Sequence, residues 1–204
     1  MIYIDNISVK SGGFTLSNIS FGILTGECLA LMGKSGSGKT TVMEAICGLR
    51  ELVDGKISIG GKDVSKMAPQ ERMVGLVPQD NVLFPNMTVR EQLAYGPRMR
   101  KWKKTDINAR VTEVAEELKI NDLLDRLPKG LSGGEAKRVA IGRAISAKPQ
   151  LLCLDESFTG LDGETLDKVM AVVQDTIRRE GISTLLITHQ AYEAERLGDV
   201  IYHL

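Results

Sequence analysis

In the first third of the chain, apolar residues fall at every second position and then in unbroken runs. "MIYIDNISV" and "FTLSNISFGI" are β-rich and parted by "KSGG", a turn signal, which predicts two strands. "ECLALM" is almost continuously apolar, the pattern of a strand buried on both faces of a sheet. In "KTTVMEAICGL", Val42, Met43, Ile46 and Leu49 recur at helical spacing. "GKISIGG" and "MVGLVPQ" predict two further strands, and "TVREQLAY" a helix start. Residues 97–147 are mostly helical in pattern, with Ile107, Val111, Val114, Ala115 and Leu118 on one face of "DINARVTEVAEELKI". "LLCLDES" then reads as a buried strand, "ETLDKVMAVVQDTIRRE" as a long amphipathic helix, "STLLITH" as a strand, "AYEAERLG" as a short helix and "DVIYHL" as a last strand. The expectation is a doubly wound α/β core over 1–85 and 148–204, interrupted by a helical subdomain over 86–147.

Composition narrows the function classes. With 204 residues and 43% hydrophobic positions, the chain can bury a core. Its formal net charge is zero, so no global attraction to nucleic acid or acidic lipid is indicated. Aromatic residues make up 4%, which argues against a base-stacking surface. Cys28, Cys47 and Cys153 lie far apart in apolar contexts and follow no metal spacing, so they read as buried reduced thiols of a reducing compartment. The N-terminus lacks the pattern of a signal peptide, and no apolar run approaches the ~20 residues of a membrane helix. A cytosolic protein is expected, with any membrane crossing left to other chains.

Three motifs bring chemistry. "GKSGSGKT" spans Gly33, Lys34, Ser35, Gly36, Ser37, Gly38, Lys39 and Thr40, between a predicted strand and a predicted helix, with Thr41 following. Its glycines let backbone amides turn inward as an anion nest, and the helix start adds positive potential. Lys39 can reach β- and γ-phosphates, and the Thr40 hydroxyl can ligate Mg²⁺. The competing reading is a flexible loop that binds nothing. In "LLCLDE", Asp155 and Glu156 end an apolar strand where open α/β sheets bind ligands. Asp155 would hold Mg²⁺ and Glu156 would polarise an attacking water, against the alternative of two surface acids. In "LSGGEAKR", Ser132 and Glu135 fit a capping box, so Gly133 and Gly134 open a helix. One nucleotide site has no need of a second phosphate-binding helix end. An ordinary capped helix is the alternative.

The order and spacing of "GKSGSGKT", "LSGGE", "LLCLDES" and "ITH" resemble the ATP-binding cassette ATPases over essentially the whole chain. The resemblance implies a P-loop NTPase (RecA-like) α/β core with an N-terminal antiparallel β subdomain and an inserted α-helical subdomain. It implies ATP and Mg²⁺ as ligands and a head-to-tail homodimer in which Ser132, Gly133 and Gly134 of one copy meet the γ-phosphate held by the other. Gln79 in "VPQD" matches the glutamine that senses Mg²⁺. Asp162 in "TGLD" matches a residue facing the partner copy, and His189 matches the histidine that contacts the γ-phosphate. His203 has no such context.

Three positions depart from the family pattern. The adenine-stacking aromatic would align close to Ser11, with Phe14 the nearest candidate. Ser157 stands where proline is usual, and Gln190 where an acid is usual. "LFPNMTV" is similar to import cassettes, including those for molybdate, sulfate, iron and thiamine. This implies integral membrane permease subunits and a solute-binding protein as partners, and a peripheral place on the cytoplasmic face of the membrane. The C-terminal regulatory domain of several such cassettes is expected to be absent. A soluble ATP-driven switch is the alternative function, and a P-loop kinase would leave "LSGGE" without a task. The basic run Arg98–Lys104, "RMRKWKK", reads as a solvated loop, with contact to an anionic membrane or to nucleic acid as alternatives.

Overall fold

The structure is a computed structural model that describes residues 1–80 and 82–204; of Ser11 it describes the backbone. The chain forms two compact units. One comprises Met1–Leu76, Gln150–Glu156 and Glu180–Leu204, the other Val77–Pro149 and Ser157–Arg179. Among the described residues, no helix is long and apolar enough to cross a membrane.

The first unit opens with a four-stranded antiparallel sheet of order β2-β1-β4-β5, built from β1 (Ile2–Ser11), β2 (Phe14–Ile23), β4 (Asp54–Ile59) and the short β5 (Lys62–Asp63). Along β1 the buried positions are Ile2, Ile4, Ile7 and Val9. The step of three between Ile4 and Ile7 breaks the two-residue period. The extra residue is absorbed by a register shift at Asn6, whose φ is 49°. Without that bulge Ile7 and Val9 would face solvent.

A five-stranded sheet of order β6-β7-β8-β3-β9 follows, from β3 (Cys28–Met32), β6 (Val74–Val77), β7 (Leu151–Asp155), β8 (Ser183–Ile187) and β9 (Val200–His203). β3 runs parallel to both β8 and β9, and β7 parallel to β8. Every residue of β7 is buried, as its apolar run predicts for a strand covered on both faces, and every residue of β8 is buried as well, the polar Ser183 and Thr184 included. Helix α1 (Lys39–Cys47) lies between the two sheets. Its Val42, Met43, Ala45 and Ile46 share one core with Ile2, Ile4, Ile57, Leu151, Cys153 and Leu185. Gly48 ends α1 in the left-handed region, so Leu49 falls outside the helix and is 59% exposed, although helical spacing placed it on the apolar face. The three cysteines are buried thiols.

The second unit is helical: α2 (Val89–Met99), α3 (Lys104–Glu117), α4 (Gly133–Ser146) and α5 (Gly163–Glu180), whose last residue falls in the first unit. Short 3-10 turns at Asn121–Leu123 and Pro128–Gly130 join α3 to α4. Capping boxes start α2 and α4. Thr88 Oγ1 accepts from Glu91 N at 3.3 Å while Glu91 Oε2 accepts from Thr88 N at 2.8 Å. Ser132 and Glu135 do the same, at 3.3 and 2.7 Å. Gly142 lets α4 approach its neighbours closely, since a Cβ there would stand 2.7 Å from Leu93 and 2.9 Å from Leu118. Helix α6 (Ala191–Leu197) returns to the first unit.

Candidate nucleotide site

The phosphate loop bridges the end of β3 and the start of α1. At Gly38 the backbone takes φ 99°, which strains any residue with a side chain, and a Cβ would stand 2.3 Å from the Leu16 side chain of β2 and displace it. No side chain caps α1, and no acid stands in its first turn. Its first amides therefore lack the side-chain partner that the starts of α2 and α4 possess. The Ser37 hydroxyl oxygen is buried without a hydrogen-bond partner among the described residues. Lys39 is 5% exposed, and its Nζ donates to Gly33 O at 3.0 Å and Lys34 O at 3.1 Å. An uncapped helix start, an orphaned hydroxyl and an ammonium folded over the loop fit an oxyanion such as a phosphate.

Thr40 Oγ1 donates to Asp155 Oδ1 at 3.3 Å, so the loop and the end of β7 meet through the two groups suited to Mg²⁺. Burial pushes the Asp155 carboxyl above its ordinary pKa. The Thr40 hydrogen bond opposes this, the nearby Glu156 and Glu44 add to it, and Lys39 counters it. A buried carboxylate beside two other acids is a suitable place for a divalent cation. Asp155→Asn removes a buried charge, so the nucleotide-free variant is expected to melt above the wild type at neutral pH. It should also lose any tightening of nucleotide binding by Mg²⁺. Calorimetry with and without MgATP checks both, and a lower melting temperature would contradict the first.

Glu156 takes φ 43°, sparsely populated for a residue with a side chain, and is held there by its own N–H to Ile187 O at 2.9 Å. Its Oε1 lies 3.2 Å from His189 Nδ1. The turn that carries His189 is fixed by Thr188, which is buried. Thr188 Oγ1 donates to Glu193 Oε2 at 2.6 Å and accepts from Gln190 N at 3.0 Å. Motif reading missed Thr188 and Glu193. The signal available to it was a threonine at a strand end with a glutamate at the start of the next helix. Gln190, unusual by family pattern, has its amide satisfied by this turn.

A cleft of about 590 Å³ is lined by Gly33, Lys34, Ser35, Glu156, His189 and His203. His203 enters because β9 pairs with β3, Met32 opposite His203. Nothing near His203 in the chain signals this. Phe14 is 48% exposed at the start of β2, two residues before Leu16 and so on the face that touches Gly38. The adenine-side alignment near Ser11 concerns a side chain outside the described residues.

The other predicted residues belong to the helical unit. Ser132 and Gly133 are exposed at the start of α4, and Gly134 is buried with Thr165 and Val169 beside it. A cleft of about 460 Å³ opens there, lined by Ser132, Gly134, Glu135, Arg138, Thr165 and Lys168 among others. Asp162 Oδ1 accepts from Thr165 N at 3.0 Å, an N-terminal cap for α5 that also lowers its pKa. Gln79 is exposed just beyond β6. Ser157 is buried, its Oγ donating to Val77 O at 3.2 Å and its carbonyl accepting from Lys137 Nζ at 2.8 Å. The serine hydroxyl thus makes a bond that proline could not.

A parallel sheet, a glycine loop opening a buried helix, and a hydroxyl–carboxylate contact beside an acid–histidine pair define a P-loop nucleotide-binding α/β protein. The ABC transporter family model matches residues 16–159, and the chain belongs to that family. It is 39% identical over 199 residues to the molybdate/tungstate import ATP-binding protein WtpC of Thermococcus kodakarensis, covering 98% of this chain and 60% of that protein. It is 38% identical to the sn-glycerol-3-phosphate import ATP-binding protein UgpC of Ruegeria pomeroyi, over 97% of this chain and 57% of the other. To the sulfate/thiosulfate import ATP-binding protein CysA of Mesostigma viride it is 39% identical, over 98% and 58%. The chain thus spans 57–60% of the length of these curated relatives. A solved dimeric structure of the ATP-binding cassette MJ0796, in a post-hydrolysis state with ADP and Pi, superposes with a TM-score of 0.83. Its sequence is 25% identical, and the match covers 100% of this chain and 94% of that one.

Proposed function

We propose that this chain is the ATP-binding and ATP-hydrolysing motor subunit of an ABC importer, acting as a homodimer with two MgATP at its interface. The observation that carries the reading is the Glu156–His189 pair, 3.2 Å apart beside the phosphate loop. The first amides of α1 and Lys39 bind the phosphates. Mg²⁺, when bound, would be held by Thr40 and Asp155 and would neutralise charge on the β- and γ-oxygens. Glu156 takes a proton from the attacking water, and His189 orients Glu156 and donates toward the γ-phosphate. Phe14 supports the adenine. Ser132, Gly133, Gly134 and Asp162 serve the partner copy's nucleotide.

An exposed aromatic ledge on the helical unit supports a membrane partner. Phe84 and Tyr95 rings stand 5.0 Å apart, and the Arg143 guanidinium lies 4.8 Å from the Phe84 ring centre. Gln92 is fully buried and holds the Phe84 backbone from both sides, accepting from its N–H at 3.3 Å and donating to its carbonyl at 2.8 Å. A rigid ledge of this kind suits a short helix of a permease subunit. The site is then at the cytoplasmic face of the membrane, with a solute-binding protein completing the assembly. Affinity purification of the tagged chain from detergent-solubilised membranes tests this. A stoichiometric multi-span membrane protein is the expected partner. Recovery only in the soluble fraction, bound to nucleic acid or ribosomal proteins, would favour a soluble ATP-driven switch instead.

A further inference from the structure

Arg72 is 4% exposed, and among the described residues no carboxylate pairs with it. Its N–H groups go to four backbone carbonyls instead. Nε donates to Met67 O at 2.9 Å, Nη1 to Ala45 O at 2.8 Å and Ile46 O at 3.1 Å, and Nη2 to Ser65 O at 3.0 Å. Two of those carbonyls belong to the last turn of α1. A helix end concentrates partial negative charge on its free carbonyls, and α1 has no basic residue of its own in that turn. Arg72 supplies the cation from another segment. The negative helix end in turn compensates a buried charge that would otherwise be costly.

The seat is shaped for the guanidinium. Gly48, which ends α1 at φ 80°, leaves the space open, since a Cβ there would stand 2.5 Å from Arg72 Nε and 2.8 Å from Cζ. Other arginines close helix ends in the helical unit. Arg110 and Arg100 reach the last carbonyls of α4, and Arg138 those that follow α3. Arg72 differs in what stands at the far end of its helix. At ~1.5 Å per residue, nine-residue α1 is about 13 Å long, and its other end carries the phosphate-loop amides, Lys39 and Thr40. That end has no side-chain cap and hangs from a glycine in the left-handed region. A helix this short is not rigidly set by its own hydrogen bonds. Its axis depends on packing and on whatever holds its C-terminus.

We propose that Arg72 is the positioning residue of the phosphate helix: its fork pins the last turn of α1 to the 65–67 loop and so fixes the phosphate-binding end. This rests on the nucleotide-site reading above. Because α1 contacts phosphates in the ground state and the transition state alike, a loosened helix weakens binding of ATP and ADP together and spares turnover at saturation. Lysine is a poor substitute, since a point charge cannot span three directions as a planar fork does.

The test compares wild type with Arg72→Lys, Arg72→Ala and Gly48→Ala, the last filling the seat while Arg72 remains. Hydrogen exchange of the nucleotide-free protein is followed at the amides of residues 42–47, and ATP and ADP affinities are measured by calorimetry. Exchange there should rise, and both affinities should fall roughly tenfold, the scale of losing hydrogen bonds from a charged donor. A cleft of about 710 Å³ reaches Arg72 past Gly48, Ser65 and Ala68, so methylguanidinium can enter the Arg72→Ala protein and should restore both readouts. Unchanged exchange in α1, wild-type affinity in Arg72→Lys, or rescue of the melting temperature without rescue of affinity would each overturn the proposal. Should Arg72→Ala fail to fold, the lysine and Gly48→Ala variants decide. If the wild type binds no nucleotide, the nucleotide reading fails by itself, and exchange in α1 still decides the role of Arg72.

Discussion

Replacing Glu156 by glutamine is expected to lower steady-state ATP hydrolysis by roughly 10²–10⁴-fold, the usual contribution of a positioned general base, while MgATP binding persists. Glutamine keeps the size and most of the hydrogen bonding of glutamate but cannot accept a proton at neutral pH. The change is therefore confined to the step in which water is deprotonated. Geometry favours this assignment. Glu156 follows the fully buried strand β7, its backbone is held at φ 43°, and its carboxylate sits 3.2 Å from His189 at the edge of the phosphate-loop cleft. Such a conformation costs about 1–3 kcal/mol and persists only where surrounding structure enforces it. Here the enforcing contact is the Glu156 N–H to Ile187 O, from the strand that leads to His189. A steady-state assay paired with calorimetric binding reads the two quantities separately. Equal turnover in the variant and the wild type would remove Glu156 as the base.

Lys39→Ala is expected to act on binding itself. Hydrogen bonds from a charged donor are worth about 1.5–3 kcal/mol, which corresponds to a loss of roughly 10–10²-fold in ATP affinity. A second effect is local. Lys39 Nζ holds the carbonyls of Gly33 and Lys34, so the loop curls around a buried ammonium. Alanine leaves those carbonyls without their donor, and amide exchange over residues 33–38 should rise before any nucleotide is added. Calorimetry and exchange on the same preparation check both. Unchanged affinity together with unchanged exchange would mean that neither the phosphates nor the loop depend on Lys39.

Several features were legible in the chain because their physics is local. Alternation and unbroken apolar runs located the principal strands, since side-chain direction has a period of two and a doubly covered strand has no polar face. The start of α4 was readable because a capping box closes within three residues, and the bonds between Ser132 and Glu135 depend on no distant partner. The phosphate loop was readable for the same reason. Its glycines, Lys39 and Thr40 are contiguous in the chain, and the structure leaves the helix start they form without a side-chain cap.

Other features came only with the folded chain. His203 reaches the phosphate cleft because β9 adds beside β3, and strand order follows from long-range packing that no local pattern encodes. Arg72 is an unremarkable arginine before a strand until the 65–67 loop and the end of α1 surround it with carbonyls. Leu49 continues an apolar stripe by spacing, yet the left-handed turn at Gly48 puts it in solvent. The sequence by itself determined the class of the site, because phosphate recognition is built from contiguous amides. The tertiary structure decided which distant side chains stand around it, because burial and strand pairing are set by the whole chain at once.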